Sequence, residues 1–469
     1  MGKPGWVYQY EAYAGKIVAE RKTPGASVGF ALNGEPVYEQ GFGFRNAEEG
    51  LPCTPTTVHG IGSVTKSFTC VAIMQLQERG QLQVTDAVSK YLPEFRTPHA
   101  EYTSQITIHH FMTHSAGLPP LPSLFPAMGS TFRNDPNRKH FGLSVDMDQF
   151  ADINSYADLM EFIASFKFEP LGAPGTRFSY SNDGYGLLGA IIERVSGISY
   201  ERYVAENILA PAGMADSTFD LERVEKHPET TQLYGPNTDK EGAIEAQPGW
   251  WQSPSQQAAG FLRSTVPDML RYMEIYRTGG MVGHGRILTP DSVAAMKRPY
   301  IQCAPGMHYG YGLMLTPFHG ATLVEHGGAV KGVAAQVVCV PEKGITGVAL
   351  TNVSGGPAVS LAMGGVNALM GLPLETNRVE YIETAIDPDR LEEYMGEYTS
   401  TEGAQIIVKA ADGKLVGEMR GKEMPGRCVG ADTFALAMPG EEMAITFLRD
   451  DSGTVVQASS GFRILSKVQ

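Results

Sequence analysis

Gly62-Ser63-Val64-Thr65-Lys66-Ser67-Phe68-Thr69 sets a serine and a lysine three residues apart at the start of a helical stretch. Residues at i and i+3 share a helical face, so the Lys66 ammonium can reach the Ser63 hydroxyl. A free serine is a weak nucleophile at neutral pH and needs a neighbouring base. A lysine serves once burial or a second cation lowers its pKa. Backbone N–H groups at a helix N-terminus favour the negative charge that develops at the serine. A chain of this size delivers about one such tetrad by composition alone, and an ordinary capped helix with an exposed lysine explains it equally well. The rest of the chain has to decide.

A second stretch, Phe178-Ser179-Tyr180-Ser181-Asn182-Asp183-Gly184-Tyr185, follows the turn residues Pro174-Gly175-Thr176 and precedes an apolar, helix-like run from Leu187 to Val195. Tyr180 and Asn182 therefore stand at a helix entrance, where side chains reach into clefts. A phenol there relays a proton between nucleophile and leaving group, and an amide holds a substrate carbonyl or the lysine. The structural alternatives are a buried ring with a satisfied hydroxyl and a helix cap. A third stretch, Glu325-His326-Gly327-Gly328-Ala329, lies between Ala321-Thr322-Leu323-Val324 and the apolar run Val333 to Val340. It reads as an edge strand followed by a hairpin closed by Pro341-Glu342-Lys343-Gly344. Its glycines let another backbone approach closely, so the Ala329 N–H is free to serve an oxyanion, with His326 beside it. By itself this stretch is also a turn with a surface histidine.

Taken together, the three stretches resemble the penicillin-recognising serine hydrolases, which span class C β-lactamases, D-aminopeptidases, DD-carboxypeptidases and related esterases. The family's S-x-x-K, Y-x-N and K-[ST]-G or H-x-G motifs read here as Ser63/Lys66, Tyr180/Asn182 and His326-Gly327-Gly328. Met112-Thr113-His114-Ser115-Ala116-Gly117-Leu118-Pro119, Pro170-Leu171-Gly172-Ala173-Pro174-Gly175 and Ile208-Leu209-Ala210-Pro211-Ala212-Gly213-Met214 also resemble family segments. The resemblance covers about residues 8 to 372. It implies an acyl-enzyme on Ser63, acid–base work shared by Lys66 and Tyr180, and a substrate amide held by Asn182. It also implies an oxyanion hole from the Ser63 and Ala329 N–H groups, with Gly328 and His326 lining the substrate. His326 stands where β-lactamases carry lysine. A histidine is largely neutral at pH 7, so demand for a substrate carboxylate weakens, and peptide, amide or ester substrates fit better than β-lactams. A D-residue preference, an esterase, an acyltransferase or macrocyclising thioesterase, and a non-catalytic scaffold all remain open.

The 469 residues, 42% hydrophobic and 19% charged, suit a soluble globular chain of two or more domains. The formal charge of −14 argues against a nucleic-acid partner. No run of ~18 apolar residues suggests a membrane span. Met1-Gly2-Lys3-Pro4-Gly5-Trp6 lacks the pattern of a signal peptide, and five scattered cysteines with no C-x-x-C pair point to reduced thiols and a cytoplasmic setting. His110 and His114 have helical i, i+4 spacing, but no H-E-x-x-H pattern accompanies them. The chemistry needs neither metal nor cofactor.

Periodicity predicts a helix over about Glu11 to Glu20, strands at Ala26 to Leu32 and Pro36 to Gly43, and a mostly helical middle to about Tyr276. A helix at Ala358 to Met370 would pack on an antiparallel sheet completed by strands of the 309–352 region. That is an α+β fold of the β-lactamase-like kind over residues 1–375. Residues 121–152 are a long irregular stretch with Leu124, Phe125, Met128, Phe132, Phe141 and Phe150, which reads as an ordered cover limiting substrate size. Trp250 and Trp251, in the stretch running to Gly260-Phe261-Leu262, are candidates for an apolar wall or for core packing. After about Pro388 short alternating segments with turns every ~8–12 residues predict a small all-β domain over residues 388–469. It resembles the lipocalin-like barrel appended to some family members, with a role in homo-oligomer assembly or in walling the active site.

Overall fold

The computed structural model describes residues 2–138, 146–237, 240, 242–411, 413–438 and 441–468. Nine strands form an antiparallel sheet: β1 (Gly25–Leu32), β2 (Glu35–Asn46), β3 (Leu51–Pro52), β4 (Ile301–Ala304), β5 (Met307–Tyr309), β6 (Met314–Phe318), β7 (Ala321–Val330), β8 (Val333–Val340) and β9 (Ile345–Thr351). Their order across the sheet is β4-β5-β6-β7-β8-β9-β1-β2-β3. Every residue of β8 and β9 is buried, as continuous apolar runs covered on both faces should be. On one face lie helices α1 (Gly5–Glu20) and α5 (Ala358–Met370), which bury Tyr10, Ala14, Leu361 and Val366 with Val28 and Phe30 of β1. The opposite face packs on α2 (Thr65–Glu78), α3 (Asn182–Ser196) and α4 (Val266–Thr278), where Phe68, Val71, Leu188 and Met273 belong to one core. The result is helices on both faces of one sheet, the predicted α+β architecture.

One sequence expectation changes. The strand holding His326 is interior to the sheet and not an edge. Yet β6 pairs with β7 only from Phe318↔Ala321 to Met314↔Glu325, whereas β7 runs on against β8 from His326↔Val337 to Val330↔Val333. Beyond Glu325 one side of β7 is therefore without a strand neighbour, and that side meets the turn carrying Ser63. β6 begins only at Met314, after the short connection from β5 at Gly310–Leu313, and this leaves no trace in the β7 sequence.

Residues 396–467 form a closed barrel of eight strands, each paired with the next. They are β10 (Gly396–Thr399), β11 (Gln405–Ala411), β12 (Lys414–Met419), β13 (Lys422–Gly430), β14 (Thr433–Met438), β15 (Glu441–Arg449), β16 (Val455–Ser460) and β17 (Arg463–Lys467). Closure comes from Tyr398↔Lys467 and Thr399↔Ser466. Side chains fill the interior: the Tyr394 ring lies 5.1 Å from Phe434 and 4.8 Å from Phe447. In an up-and-down barrel alternate turns share an end, so those at 400–404, 419–422 and 460–463 fall together. That end docks on the sheet-and-helix body, with the Tyr180 N–H donating to the Phe462 carbonyl at 2.9 Å and the Thr401 hydroxyl to the Pro120 carbonyl. The turn predicted at Ala411-Asp412-Gly413 joins β11 to β12, with Asp412 outside the described residues.

Candidate active site

Ser63 sits in a single 3₁₀ turn, Gly62–Val64, that leads directly into α2. Gly62 has φ +50°, and a Cβ there would stand 2.6 Å from the Ala329 nitrogen. On the facing strand a Cβ at Gly328 would meet the Ile61 carbonyl oxygen at 1.9 Å and the Ser63 nitrogen at 3.1 Å. Only two glycines let these backbones touch. They bring the free side of β7 against the nucleophile turn, with the amides of Ser63 and Ala329 on adjacent segments.

Lys66 follows one helical turn later and is fully buried. Its Nζ lies 3.1 Å from Ser63 Oγ, 2.8 Å from Asn182 Oδ1 and 2.6 Å from the Ala259 carbonyl. Burial pushes the lysine well below its usual pKa, the nearby Arg463 cation pushes the same way, and Glu402 opposes them. Tyr180 places its ring 4.7 Å from Lys66 Nζ and lines the same cleft as Ser63, which tempers its pKa. Burial raises its phenol, offset in part by Ser63 and by Arg463, so the group is protonated at neutral pH. Asn182 opens α3, whose N-cap Ser181 accepts from the Gly184 N–H. Under this layer the His114 ring stacks on Tyr180 at 4.1 Å, and its Nδ1 accepts from the Ser181 N–H at 3.0 Å.

His326 is buried, and both of its ring nitrogens are engaged. Nδ1 lies 2.6 Å from the Gly327 carbonyl, which can only accept, so Nδ1 carries the proton and Nε2 accepts from the Tyr309 hydroxyl at 2.9 Å. Burial, and then the Lys66 charge, lower its pKa to about 3. The histidine is neutral, as expected of a histidine at pH 7.

A cleft of about 580 Å³ runs past these groups, and Ser63, Tyr180, Asn182, His326, Gly328 and Ala329 all line it. Leu124, Phe125, Met128 and Trp251 form its apolar wall. Trp251 is buried, donates to Asp135 at 2.8 Å and packs on Phe125 and Phe132, so both expectations for it meet in one residue. Trp250 lies instead against the Arg263 guanidinium at 5.3 Å. Of the other aromatics singled out in the long segment, Phe150 packs against Phe162 away from the cleft. Phe141 lies outside the described residues. His110 accepts from the Thr107 N–H in a helix cap while His114 underlies Tyr180, so the two do not converge. A larger cavity of about 810 Å³ lies behind Phe462, between the barrel and β4–β5, and touches neither Ser63 nor Lys66.

Two further residues reach the site from the barrel. Arg463, at the start of β17, holds its guanidinium 4.7 Å over the Tyr180 ring and binds Glu402 through Nε at 2.9 Å. Arg420, in the β12–β13 turn, also lines the cleft. Sequence reading passed over both because they lie far downstream in another domain. A signal was present at the hairpin tip: Gly461-Phe462 has φ +55° and +65°, and such a turn favours Asn or Gly where this chain puts a bulky ring.

Fold and site together define a chain of β-lactamase architecture with its serine, lysine and tyrosine in contact. A sequence model of the β-lactamase family matches residues 11–368. The chain belongs to that family, whose members are typically serine hydrolases. Penicillin-binding protein 4 of Amycolatopsis lactamdurans is 26% identical over 374 residues, 78% of this chain and 89% of that protein. Among solved structures, the octameric penicillin-binding protein homologue from Pyrococcus abyssi superposes with a TM-score of 0.70 at 31% identity, over 98% of this chain and 100% of that one. SurE shares the fold, with a TM-score of 0.67 at 21% identity over 98% and 100% of the two chains. Among the described residues no helix is long and apolar enough to cross a membrane.

Proposed function

We propose that the chain is a serine hydrolase that forms an acyl-enzyme on Ser63 and cleaves peptide or amide bonds. The observation that carries this reading is the environment of Lys66 Nζ. An uncharged amine has two hydrogens and one lone pair. Asn182 Oδ1 and the Ala259 carbonyl can only accept and take the hydrogens, so the lone pair faces Ser63 Oγ. Lys66, held below its usual pKa, is then the base that receives the Ser63 proton, while Tyr180, protonated, hands a proton to the leaving group. The Ser63 and Ala329 N–H groups take the oxyanion, worth roughly 3 kcal/mol in the transition state. Asn182, its oxygen occupied by Lys66, offers its NH₂ to the substrate carbonyl. The proton on Lys66 then passes to the Tyr180 phenolate, and the lysine, neutral again, takes a proton from the water that releases the acyl group.

His326 is neutral and supplies no charge to a substrate carboxylate, which supports amide and peptide substrates over β-lactams. The positive charge absent from this strand is supplied by Arg463, over Tyr180, where it favours the phenolate character that develops during proton relay. The octameric assembly of the Pyrococcus abyssi homologue supports self-association of this chain, which sedimentation analysis would test.

The decisive experiment incubates the protein, with Ser63→Ala as control, with matched peptides carrying D- or L-residues around the scissile bond. Mass spectrometry follows products and adducts. Ser63-dependent cleavage and an acyl mass on the Ser63 peptide are expected. Adducts with activated esters but cleavage of neither series would turn the reading to an esterase or, where an added amine captures the acyl group, an acyltransferase.

A further inference from the structure

Asp183, the residue after Asn182, has no part in the chemistry above, yet it is buried against the site. Its carboxylate accepts from the Ser123 hydroxyl and from Gln256 Nε2 at 3.4 Å. Burial pushes the carboxyl up to about 7 against the pull of the Ser123 hydrogen bond. The charges that reach it are Glu402 and Arg463 on the barrel turns. Folding thus retains a carboxylate where burial opposes its charge. Such a group is kept for what it holds in place.

It touches two segments, and the Ser123 side also has ties of its own, the Ile153 N–H donating to the Pro126 carbonyl at 3.1 Å and Phe125 packing on Phe132 and Trp251. The 253–260 segment has ties of its own: the Thr69 hydroxyl donates to the Ala258 carbonyl at 2.7 Å, and the Ser255 hydroxyl to Ile153 at 3.1 Å. The Lys66 acceptor at Ala259 is thereby anchored without Asp183. Ser123 makes its side-chain hydrogen bond to Asp183, and the next two residues, Leu124 and Phe125, line both the Ser63 cleft and a second cavity of about 270 Å³ that opens to the barrel mouth. Gln256 Oε1 is buried and has no hydrogen-bond partner among the described residues.

We propose that Asp183 is the positioning residue that fixes the Leu124–Phe125 wall through Ser123, and so selects which apolar substrate groups the cleft admits. This inference rests on the hydrolase reading above and deepens it.

The test compares wild type, Asp183→Ala, Asp183→Asn and Ser123→Ala. One substrate set is peptide amides with large apolar residues on either side of the scissile bond, and the other is the small activated ester p-nitrophenyl acetate. Asp183→Ala should raise KM for the apolar amides about tenfold, the scale of one lost buried hydrogen bond. Acylation of Ser63 by the small ester should hold within about threefold, since Ala259 keeps its own anchors. Asp183→Asn should restore KM, because its amide oxygen, standing where Asp183 Oδ1 stands, accepts from both Ser123 Oγ and Gln256 Nε2. Ser123→Ala should reproduce part of the KM rise, and it carries the test should Asp183→Ala not fold. Unchanged KM in both variants, or equal losses on both substrate sets, overturns the inference. Absence of a Ser63 adduct in the wild type instead rejects the hydrolase reading, so the two failures are distinguishable.

Discussion

At the scale of the residue, burial moves the site's groups away from their ordinary pKa values. Lys66 is depressed by desolvation first and by Arg463 second, and the second cause can be removed by mutation. Arg463→Met should let the lysine recover part of its basicity, so the acid limb of the kcat/KM profile moves to higher pH and activity at pH 7 falls. A pH–rate series on wild type and variant, with circular dichroism to verify folding, reads this directly; an acid limb that stays in place would mean that Arg463 does not influence Lys66. Ser63, Lys66, Tyr180 and Asn182 were legible in the sequence because their spacing within each motif is local. Arg463 was not, since it meets Tyr180 only through the docking of one domain on another. The neutrality of His326 was legible as a tendency of the side chain. Its cause, a carbonyl on one nitrogen and Tyr309 on the other, belongs to the fold.

At the scale of the element, the contact between the Ser63 turn and β7 is made possible by Gly62 and Gly328. Gly328→Ala places a methyl group 1.9 Å from the Ile61 carbonyl, so turn and strand must part. If the Ser63 and Ala329 amides form the oxyanion hole, kcat should fall roughly 10²–10³-fold, the effect of losing one donor, while KM changes little. Steady-state kinetics with a melting curve would check this; a stability loss with kcat intact would argue for a structural contact only. The helix from Ala358 to Met370 and the strands from Ala26 and Val333 were readable because each has a single strong periodicity or an unbroken apolar run. Strand Lys422–Gly430 was not, because Pro425, Gly426 and Gly430 interrupt its alternation. The misread edge at β7 has a similar origin: whether a strand has a neighbour is a property of the partner, and here β6 begins only at Met314.

At the scale of the whole molecule, the buried histidines set the response to acid. Each ordinarily titrates near 6.5, but burial holds His59 and His326 at about 3 and His114 well below its usual value. The unfolded chain therefore takes up protons that the folded chain refuses. Stability present above pH 6.5 is lost as the pH falls towards the folded values. Asp183, raised from 3.8 to about 7, acts in the opposite sense, as do Glu39, Glu193 and Asp268, which burial also raises, while His109 and His110, lowered by burial, add to the other histidines. Over roughly pH 7.5 to 5.5 the melting temperature should therefore fall on acidification. Calorimetry across that range tests the sign, and a rise would mean that buried carboxylates outweigh the histidines. The barrel matters to the molecule as a whole because Phe462 and Arg463 sit in the turn into β17, the last strand, whose far end pairs with β10 to close the cylinder. That gives the site a place in time as well as in space. A ribosome that has already delivered the serine, the lysine and the tyrosine has still to deliver the guanidinium that lies over that tyrosine. The nascent polypeptide thus emerges with this cleft unfinished, and completes it only when the last strand of the cylinder is in place.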